Sequence, residues 1–416
     1  MNMNIRLQEA YAVGAGSDWK AEWRKAFAKE LKDNILRYWM TRAVDDRNGG
    51  FIGRIGDDRK PDYEAAKSLV LNTRILWTFS AAYRVFGDGR YLAVAERAYE
   101  YVTDKFADRK HGGFFWMVDA RGNPADDRKQ VYGQAFAIYA LAEYYRAAGR
   151  KEALDKAIET HLLLERHGYD PVNRGYIEAR ARDWSETDRL ALGGGDMNER
   201  KSMNTHLHVL EAYTNLYRAW PAEELNRKHK ELIAVMLDHI VDPETAHFRL
   251  FFDDEWNSKS DLISYGHDIE GSWLLTEAAE LCGDEALLQR TKRTAIRMAE
   301  ATLAEGVDAD GGLLNEADAQ GRIDTNKDWW PQAEAVVGFY NAYQLTGEEK
   351  YLEASRRSWS FIERFMIDRE DGEWFGSVDR EGRPIGGGHG KVSAWKCPYH
   401  NGRACIEMME RLSAGQ

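Results

Sequence analysis

The chain has 416 residues, 44% of them hydrophobic, and a formal net charge of −12. That length suits one large domain or two to three ordinary ones, and the apolar content is ample for a packed core. The acidic balance argues against a broad phosphate-binding surface, and with no run of 18 apolar residues and no signal-peptide pattern, neither nucleic acid nor a membrane is an expected partner.

Six glycine–aromatic hairpin signals recur along the chain, spaced by about 60–72 residues. In order they are Gly49-Gly50-Phe51-Ile52, Gly112-Gly113-Phe114-Phe115, Arg174-Gly175-Tyr176-Ile177, Ala246-His247-Phe248-Arg249, Gly311-Gly312-Leu313-Leu314 and Gly372-Glu373-Trp374-Phe375. Between them, apolar residues at period 3.6 predict twelve helices: roughly 18–43, 63–86, 88–108, 130–148, 150–168, 199–219, 221–241, 267–282, 284–305, 330–346, 348–367 and 400–413. Gly87-Asp88-Gly89, Gly149, Pro221, Gly283-Asp284 and Gly347 mark turns between helix partners.

Odd-numbered helices carry long charged faces, as in Trp19-Lys20-Ala21-Glu22-Trp23-Arg24-Lys25. Even-numbered ones are apolar nearly all round, as in Ala135-Phe136-Ala137-Ile138-Tyr139-Ala140-Leu141, the mark of an inner helix. Strict alternation of six outer and six inner helices predicts an all-α fold, an (α/α)6 barrel with short β-hairpins at the active-site end. An open α-solenoid uses similar units, but no polar capping repeat is present at either end, which favours closure. No linker composition interrupts the pattern, so residues 1–416 read as a single domain. The longest irregular stretch, Ala181 to Glu199, reads as a loop over the site.

The hairpins should gather where the inner helices begin, and unusual polar residues gather at the same starts. Helix two carries Arg74 in an apolar run, and helix four opens with Tyr132 and Gln134. Helix six has Asn204 and His208 at i,i+4, helix eight His267 and Glu270 at i,i+3, and helix ten Trp330 and Glu334 at i,i+4. Helix twelve opens with His400. Such pairs share a helix face. His206 and His208, two apart, cannot; His208 is in phase with Asn204, so His206 reads as structural. The remaining seven histidines read as surface or core residues.

Metal-binding, P-loop, dinucleotide and nucleophile-elbow patterns are missing, and the three cysteines show no CxxC spacing. That cysteine usage fits a reduced, cytoplasmic protein. Fourteen tryptophans is a high count, read as mostly core residues with a minority available to stack on sugar rings.

Four segments carry a family resemblance: Ser202-Met203-Asn204-Thr205-His206-Leu207-His208-Val209-Leu210-Glu211, Gly266-His267-Asp268-Ile269-Glu270-Gly271-Ser272-Trp273, Trp329-Trp330-Pro331-Gln332-Ala333-Glu334-Ala335 and Trp395-Lys396-Cys397-Pro398-Tyr399-His400-Asn401-Gly402-Arg403. With these the chain resembles the N-acylglucosamine 2-epimerase superfamily, most closely its cellobiose 2-epimerase branch, from about residue 20 to 413. The resemblance implies an (α/α)6 barrel and reversible epimerisation at C2 of the reducing-end sugar of a 1,4-linked disaccharide, with no cofactor and no metal. It implies His267 and His400 as the acid/base pair flanking C2 and Arg74 as the group that stabilises the enediolate. Glu270 would orient His267 and bind sugar hydroxyls, while His208 and Glu334 would assist ring opening and hold O1 or O5. Asn204, Tyr132 and Asp196 would bind hydroxyls, and Trp330, Trp395 and Trp273 would stack on or wall the sugar. The loop from Gly193 to Asp196 would shape the subsite for the second sugar. Related members isomerise mannose or epimerise a monosaccharide with a similar constellation. Of other classes, a glycoside hydrolase would use Glu270 and Glu334 as opposed carboxylates, and a noncatalytic carbohydrate-binding protein would need none of these groups. A cavity inside one barrel needs no partner chain, so a monomer is expected.

Overall fold

The computed structural model of the chain describes residues 18–387 and 389–413. The two ends of the expected 1–416 domain, including the N-terminal stretch read for a signal, lie outside the described residues. In chain order the helices are α1 (Trp19–Lys29, running on through Glu30–Leu36 and Arg37–Arg42), α2 (Leu69–Phe86), α3 (Gly89–Tyr101, then Val102–Phe106) and α4 (Val131–Ala148). They continue with α5 (Lys151–His167), α6 (Met203–Ala219), α7 (Glu223–Val235, then Met236–Ile240) and α8 (Tyr265–Leu281). The last four are α9 (Glu285–Glu305), α10 (Trp329–Thr346), α11 (Glu349–Phe361, then Ile362–Met366) and α12 (Tyr399–Ser413). The added stretches Glu30–Leu36, Val102–Phe106, Met236–Ile240 and Ile362–Met366 are π-helical turns, a widening that apolar periodicity does not signal.

The even helices form a closed ring. α2 packs on α4, α4 on α6, α6 on α8, α8 on α10 and α10 on α12, and α12 returns to α2. Each also packs on an outer helix: α2 on α3, α4 on α5, α6 on α7, α8 on α9, α10 on α11 and α12 on α1. This is the (α/α)6 barrel, and the contact of α12 with α2 rules out the open solenoid. One continuous core of buried side chains reaches from Trp23 to Leu412, and a smaller cluster around Ile269, Phe339 and Tyr351 fills the α8–α10–α11 seam. Inner helices approach so closely that a Cβ on Gly338 of α10 would meet the Ile269 backbone oxygen of α8 at 2.6 Å.

The predicted start of α2 at 63 is too early by half a dozen residues, and that of α6 at 199 by four. In both places the chain is first drawn into a short strand, Lys67–Ser68 against Met117–Val118 and Lys201–Ser202 against Phe251–Phe252. The same arrangement precedes α4, where Lys129–Gln130 pairs with Ala179–Arg180, and α10, where Lys327–Asp328 pairs with Ser377–Val378. The residues leading into an inner helix are thus tied to the hairpin after the next outer helix, which passes register around the ring.

Buried lysines pin these hairpins. Lys67 Nζ lies 2.7 Å from Asp45, Lys129 3.0 Å from Asp108, Lys201 2.8 Å from Asp170, Lys327 2.8 Å from Asp310 and Lys391 2.7 Å from Asp368. Four of the aspartates, Asp45, Asp108, Asp170 and Asp368, also accept backbone N–H groups two and three residues on, holding the turn that precedes the glycine–aromatic pair. Within that pair Gly112 and Gly113 have φ of +74° and +67°, the left-handed region that makes glycine the natural choice.

Candidate active site

A fixed register within the inner helices separates structural side chains from those that reach the barrel axis. Counted from the first helical residue, position four is Gln134 in α4, His206 in α6, Asp268 in α8 and Gln332 in α10. Each accepts a hairpin backbone N–H: Phe114 to Gln134 at 2.9 Å, Tyr176 to His206 Nε2 at 2.8 Å, Phe248 to Asp268 at 2.7 Å and Leu313 to Gln332 at 2.7 Å. His206 is therefore a hairpin anchor. Position six is Arg74 in α2, His208 in α6, Glu270 in α8 and Glu334 in α10. Two residues on, the helix has turned about 200°, so position six faces away from the hairpin and into the ring.

At the hairpin end of the barrel lies a cavity of about 240 Å³. Arg74, Tyr132, Asn204, His208, His267, Glu270 and His400 line it, walled by Trp329, Trp330 and Trp395, with Leu192 and Asp196 from the 181–199 loop and His389 at its mouth. Of the fourteen tryptophans, only Trp19, Trp220, Trp330 and Trp395 are not fully buried, and two of these four wall the cavity.

His400 and His267 are held differently. His400 Nδ1 lies 2.7 Å from Glu334 Oε1. The other Glu334 oxygen accepts the Trp273 indole N–H at 3.0 Å. His267 Nδ1 lies 2.8 Å from the Ser264 hydroxyl. Both imidazoles pack against Trp330, with ring centroids 4.6 Å (His267) and 5.6 Å (His400) from the indole. With Nδ1 engaged in each ring, Nε2 is the nitrogen left for a ligand.

Beneath the cavity floor Arg403 binds three carboxylates. One terminal nitrogen donates to Glu270 and to Glu334, both at 2.6 Å; the other donates to Glu211 and to the Tyr399 hydroxyl. Glu211 in turn lies 2.9 Å from His208 Nδ1. Arg74 has no carboxylate partner among the described residues. Its guanidinium donates to the Tyr132 hydroxyl at 2.8 Å and lies over the rings of Phe136 and Tyr399. Four buried polar atoms of the lining have no protein partner: Arg74 Nε, Asn204 Oδ1, Glu270 Oε2 and Trp329 Nε1. Buried polar groups are ordinarily satisfied, so unpaired donors and acceptors on a cavity wall are where a polyhydroxylated ligand bonds.

Burial sets the charge states. It lowers His267 to about 3, with the nearby His208 adding to the effect. His400 is pushed well below the usual histidine range by burial and by the Arg74 and Arg403 charges. Glu270 is raised by burial and by its neighbour Glu334. Glu211 runs the other way: burial raises it, but Arg403 and His208 more than offset this and hold it at about 2. Ligand atoms of Glu270, Glu334 and His400 all lie within 4.8 Å of one another, close enough to share a cation. That position is already neutralised by the Arg403 nitrogen, and a metal there would have to displace it.

The family model for N-acylglucosamine 2-epimerase matches residues 50–402. The chain belongs to the N-acylglucosamine 2-epimerase family. It is 45% identical over 387 residues to the cellobiose 2-epimerase of Bacteroides fragilis, covering 93% of this chain and 98% of that one. The solved structure of cellobiose 2-epimerase from Bacillus thermoamylovorans superposes with a TM-score of 0.89 at 42% identity, covering 94% of this chain and 100% of that one. A D-mannose isomerase structure, at 21% identity and a TM-score of 0.79 over 96% of this chain and 100% of that one, shares the fold. No helix among the described residues is long and apolar enough to cross a membrane.

Of the twelve residues expected at the site, ten line the cavity and two, Glu334 and Trp273, stand behind it. Trp273 is 1% exposed and donates to Glu334, so it supports a carboxylate instead of walling a sugar. Both Glu334 oxygens are occupied by protein donors, which places it behind His400 and not against a sugar oxygen. Glu270 bonds Arg403, and the partner of His267 is Ser264, so the expected pairing of Glu270 with His267 is absent. Sequence reasoning gave no role to Arg403, Glu211, Tyr399, Ser264, Leu192, Trp329 or His389. For Glu211 a signal existed, since it stands at i,i+3 from His208 within a motif already singled out.

Proposed function

We propose that this chain catalyses reversible C2 epimerisation of the reducing-end sugar of 1,4-linked disaccharides, converting cellobiose to glucosyl-mannose and lactose to epilactose. The observation that carries the reading is the pair of imidazoles, His267 and His400, on one cavity with each Nδ1 engaged and each Nε2 free. Opening the sugar ring makes C1 a carbonyl and acidifies the C2 hydrogen. Burial keeps both rings neutral in the empty site, so the one extra proton that the pair shares during turnover is taken up as the sugar binds. The neutral ring takes the C2 proton, leaving a cis-enediolate, and its imidazolium partner delivers a proton to the other face of C2. The two rings have then exchanged charge and are set for the reverse reaction. No electrons are gained or lost.

Arg74 supplies fixed positive charge for the enediolate oxygen, undiluted by a carboxylate of its own. Glu270 Oε2 and Asn204 Oδ1 accept sugar hydroxyls, and Tyr132, Asp196 and His208 complete the polar lining. Trp330 and Trp395 offer faces to the sugar rings. The site is complete within one chain, and the three cysteines are unpaired, which supports a monomer working in the cytoplasm.

A hydrolase with Glu270 and Glu334 as opposed carboxylates fits poorly. The Oε1 atoms of both accept from the same Arg403 nitrogen, so the two cannot flank a glycosidic bond. The deciding experiment is NMR of cellobiose, lactose, mannose and N-acetylglucosamine with the protein in heavy water. Expected is a new disaccharide carrying deuterium at C2. Release of free glucose would sink the reading, and fructose formed from mannose would move it to an isomerase.

A further inference from the structure

Three inner helices are preceded by serine, and their hydroxyls do not do the same work. Ser68 accepts the backbone N–H of Leu71 at 2.9 Å, and Ser202 accepts that of Thr205 at 3.1 Å. Each is the ordinary N-cap bond to the third residue along, with the hydroxyl proton given to Ala394 O in one case and Glu178 in the other. The corresponding third residue after Ser264 is His267. Here the hydroxyl makes no cap bond; it lies 2.8 Å from the Nδ1 of the His267 side chain. The Ser264 backbone has shifted with it, to ψ 100°, against 151° for Ser68 and 153° for Ser202. An N-cap bond satisfies a backbone N–H that the helix itself leaves unpaired. α8 forgoes it, and what the hydroxyl gains is a contact with one imidazole nitrogen.

We infer that Ser264 is a positioning residue: its hydroxyl accepts the His267 Nδ1–H, fixes the tautomer, and so leaves Nε2 as the nitrogen that exchanges a proton with C2. The inference deepens the epimerase reading and rests on it. It also makes the two histidines unequal. His400 has an ionisable carboxylate behind its Nδ1, which pairs with the imidazolium directly. His267 has only a neutral hydroxyl, which orients the ring without adding charge. Throughout the cycle Nδ1–H stays on Ser264. The proton that leaves or returns is the one on Nε2: C2–H breaks as Nε2–H forms, and the reverse step restores it. Without the hydroxyl, neutral His267 is free to carry its proton on Nε2 and lose its function as a base.

The test uses Ser264→Ala and Ser264→Thr in the full chain, with cellobiose and separately with its 2-epimer in heavy water. NMR follows both epimer formation and deuterium entering the recovered starting sugar. Ser264→Ala should lower kcat about 10–100-fold, a part of what acid–base catalysis contributes, with KM little changed, and Ser264→Thr should restore it. The distinguishing readout is the ratio of wash-in to epimerisation. It should rise for the epimer whose C2 proton goes to His400, since return to the same face competes with a weakened donor, and fall for the other epimer. A merely structural role would slow both epimers and leave both ratios unchanged, overturning the inference; so would wild-type behaviour of Ser264→Ala. Long-range 15N–1H spectra of the resting protein test the tautomer without turnover. They should show His267 protonated at Nδ1 in the wild type and at Nε2 in Ser264→Ala. An Nε2 proton in the wild type would overturn the inference even with activity intact. A wild type that neither epimerises nor exchanges C2 while showing the Nδ1 tautomer would instead bring down the functional reading.

Discussion

The Glu334 carboxylate stands behind His400, 2.7 Å from its Nδ1, and gives its remaining oxygen to Trp273. Burial raises Glu334 and the Arg403 charge opposes it; in its ionised form the carboxylate keeps the Nδ1 proton in place and stabilises the imidazolium formed when Nε2 takes a proton. Glu334→Gln keeps the shape and removes the charge, so kcat should fall about 100-fold, within the range general acid–base groups contribute, while KM changes little. His400→Ala should abolish turnover. Steady-state kinetics on cellobiose with circular dichroism of each variant checks both. A large rise in KM for Glu334→Gln would mean that Glu334 touches the sugar after all.

Arg74 is the one guanidinium on the cavity wall that no carboxylate neutralises. Its charge is available to an enediolate oxygen, an interaction present only once that charge develops. Replacing it with alanine should cost about 10²–10³-fold in kcat, the usual loss for a preorganised electrostatic partner. Lysine should rescue little, since it cannot reproduce the planar fork that holds Tyr132. Tyr132→Phe, which leaves the charge but frees its orientation, should lie between wild type and Arg74→Ala in the same assay.

How much could be read from the sequence depends on what carries a period. The ring of inner helices and the hairpin end were legible because apolar periodicity and the glycine–aromatic signal repeat. His206 could be set apart from His208 because two residues on a helix cannot share a face. Arg403 and its ties to Glu211, Glu270 and Glu334 were not legible, because those bonds run between helices up to 192 residues apart. The π-turns and the lysine–aspartate pins escaped for a related reason: a charged residue in an alternating polar strand looks solvated until the partner strand covers it.

The anchor register predicts a tolerated swap. His206 does for the Tyr176 hairpin what Gln134 and Gln332 do for theirs. His206→Gln should therefore fold and epimerise nearly as the wild type does. His206→Ala leaves the buried Tyr176 N–H unpaired and should lose about 1–3 kcal/mol of stability. His208→Ala should show the opposite pattern, keeping its melting temperature and losing activity. Thermal unfolding alongside rate measurements separates the three.

Glu178 gives a pH signature. It is 3% exposed, accepts from Ser202 and Thr205, and burial raises it to about 7 despite those bonds. Its folded value lies above the unfolded value of 4.5. The protonated form is thus favoured by folding, and its contribution is full below pH 4.5 and lost as pH rises through 7. The shift corresponds to at most about 3 kcal/mol. Wild-type stability should decline between pH 5 and about 8 by part of that amount, and Glu178→Gln should flatten the decline. Denaturant melts at several pH values measure it, and parallel slopes would show that Glu178 does not titrate in this window.

The lysine–aspartate pins should hold the fold without setting the rate. Lys67 is 1% exposed and Asp45 0%, so their 2.7 Å ion pair is wholly desolvated. Lys67→Met strands the Asp45 carboxylate with only backbone donors from Arg47 and Asn48. Breaking one side of a buried pair costs about 3–5 kcal/mol, because the remaining charge is left uncompensated. Removing that charge as well, in Lys67→Met with Asp45→Asn, should recover a good part of the loss. Lys67 reaches the cavity only through Ser68 and the first turn of α2, so kcat at a temperature where the single variant is folded should stay near wild type. A double variant no more stable than Lys67→Met would show that the lysine acts through its other bond, to the Gly49 carbonyl, and not through charge.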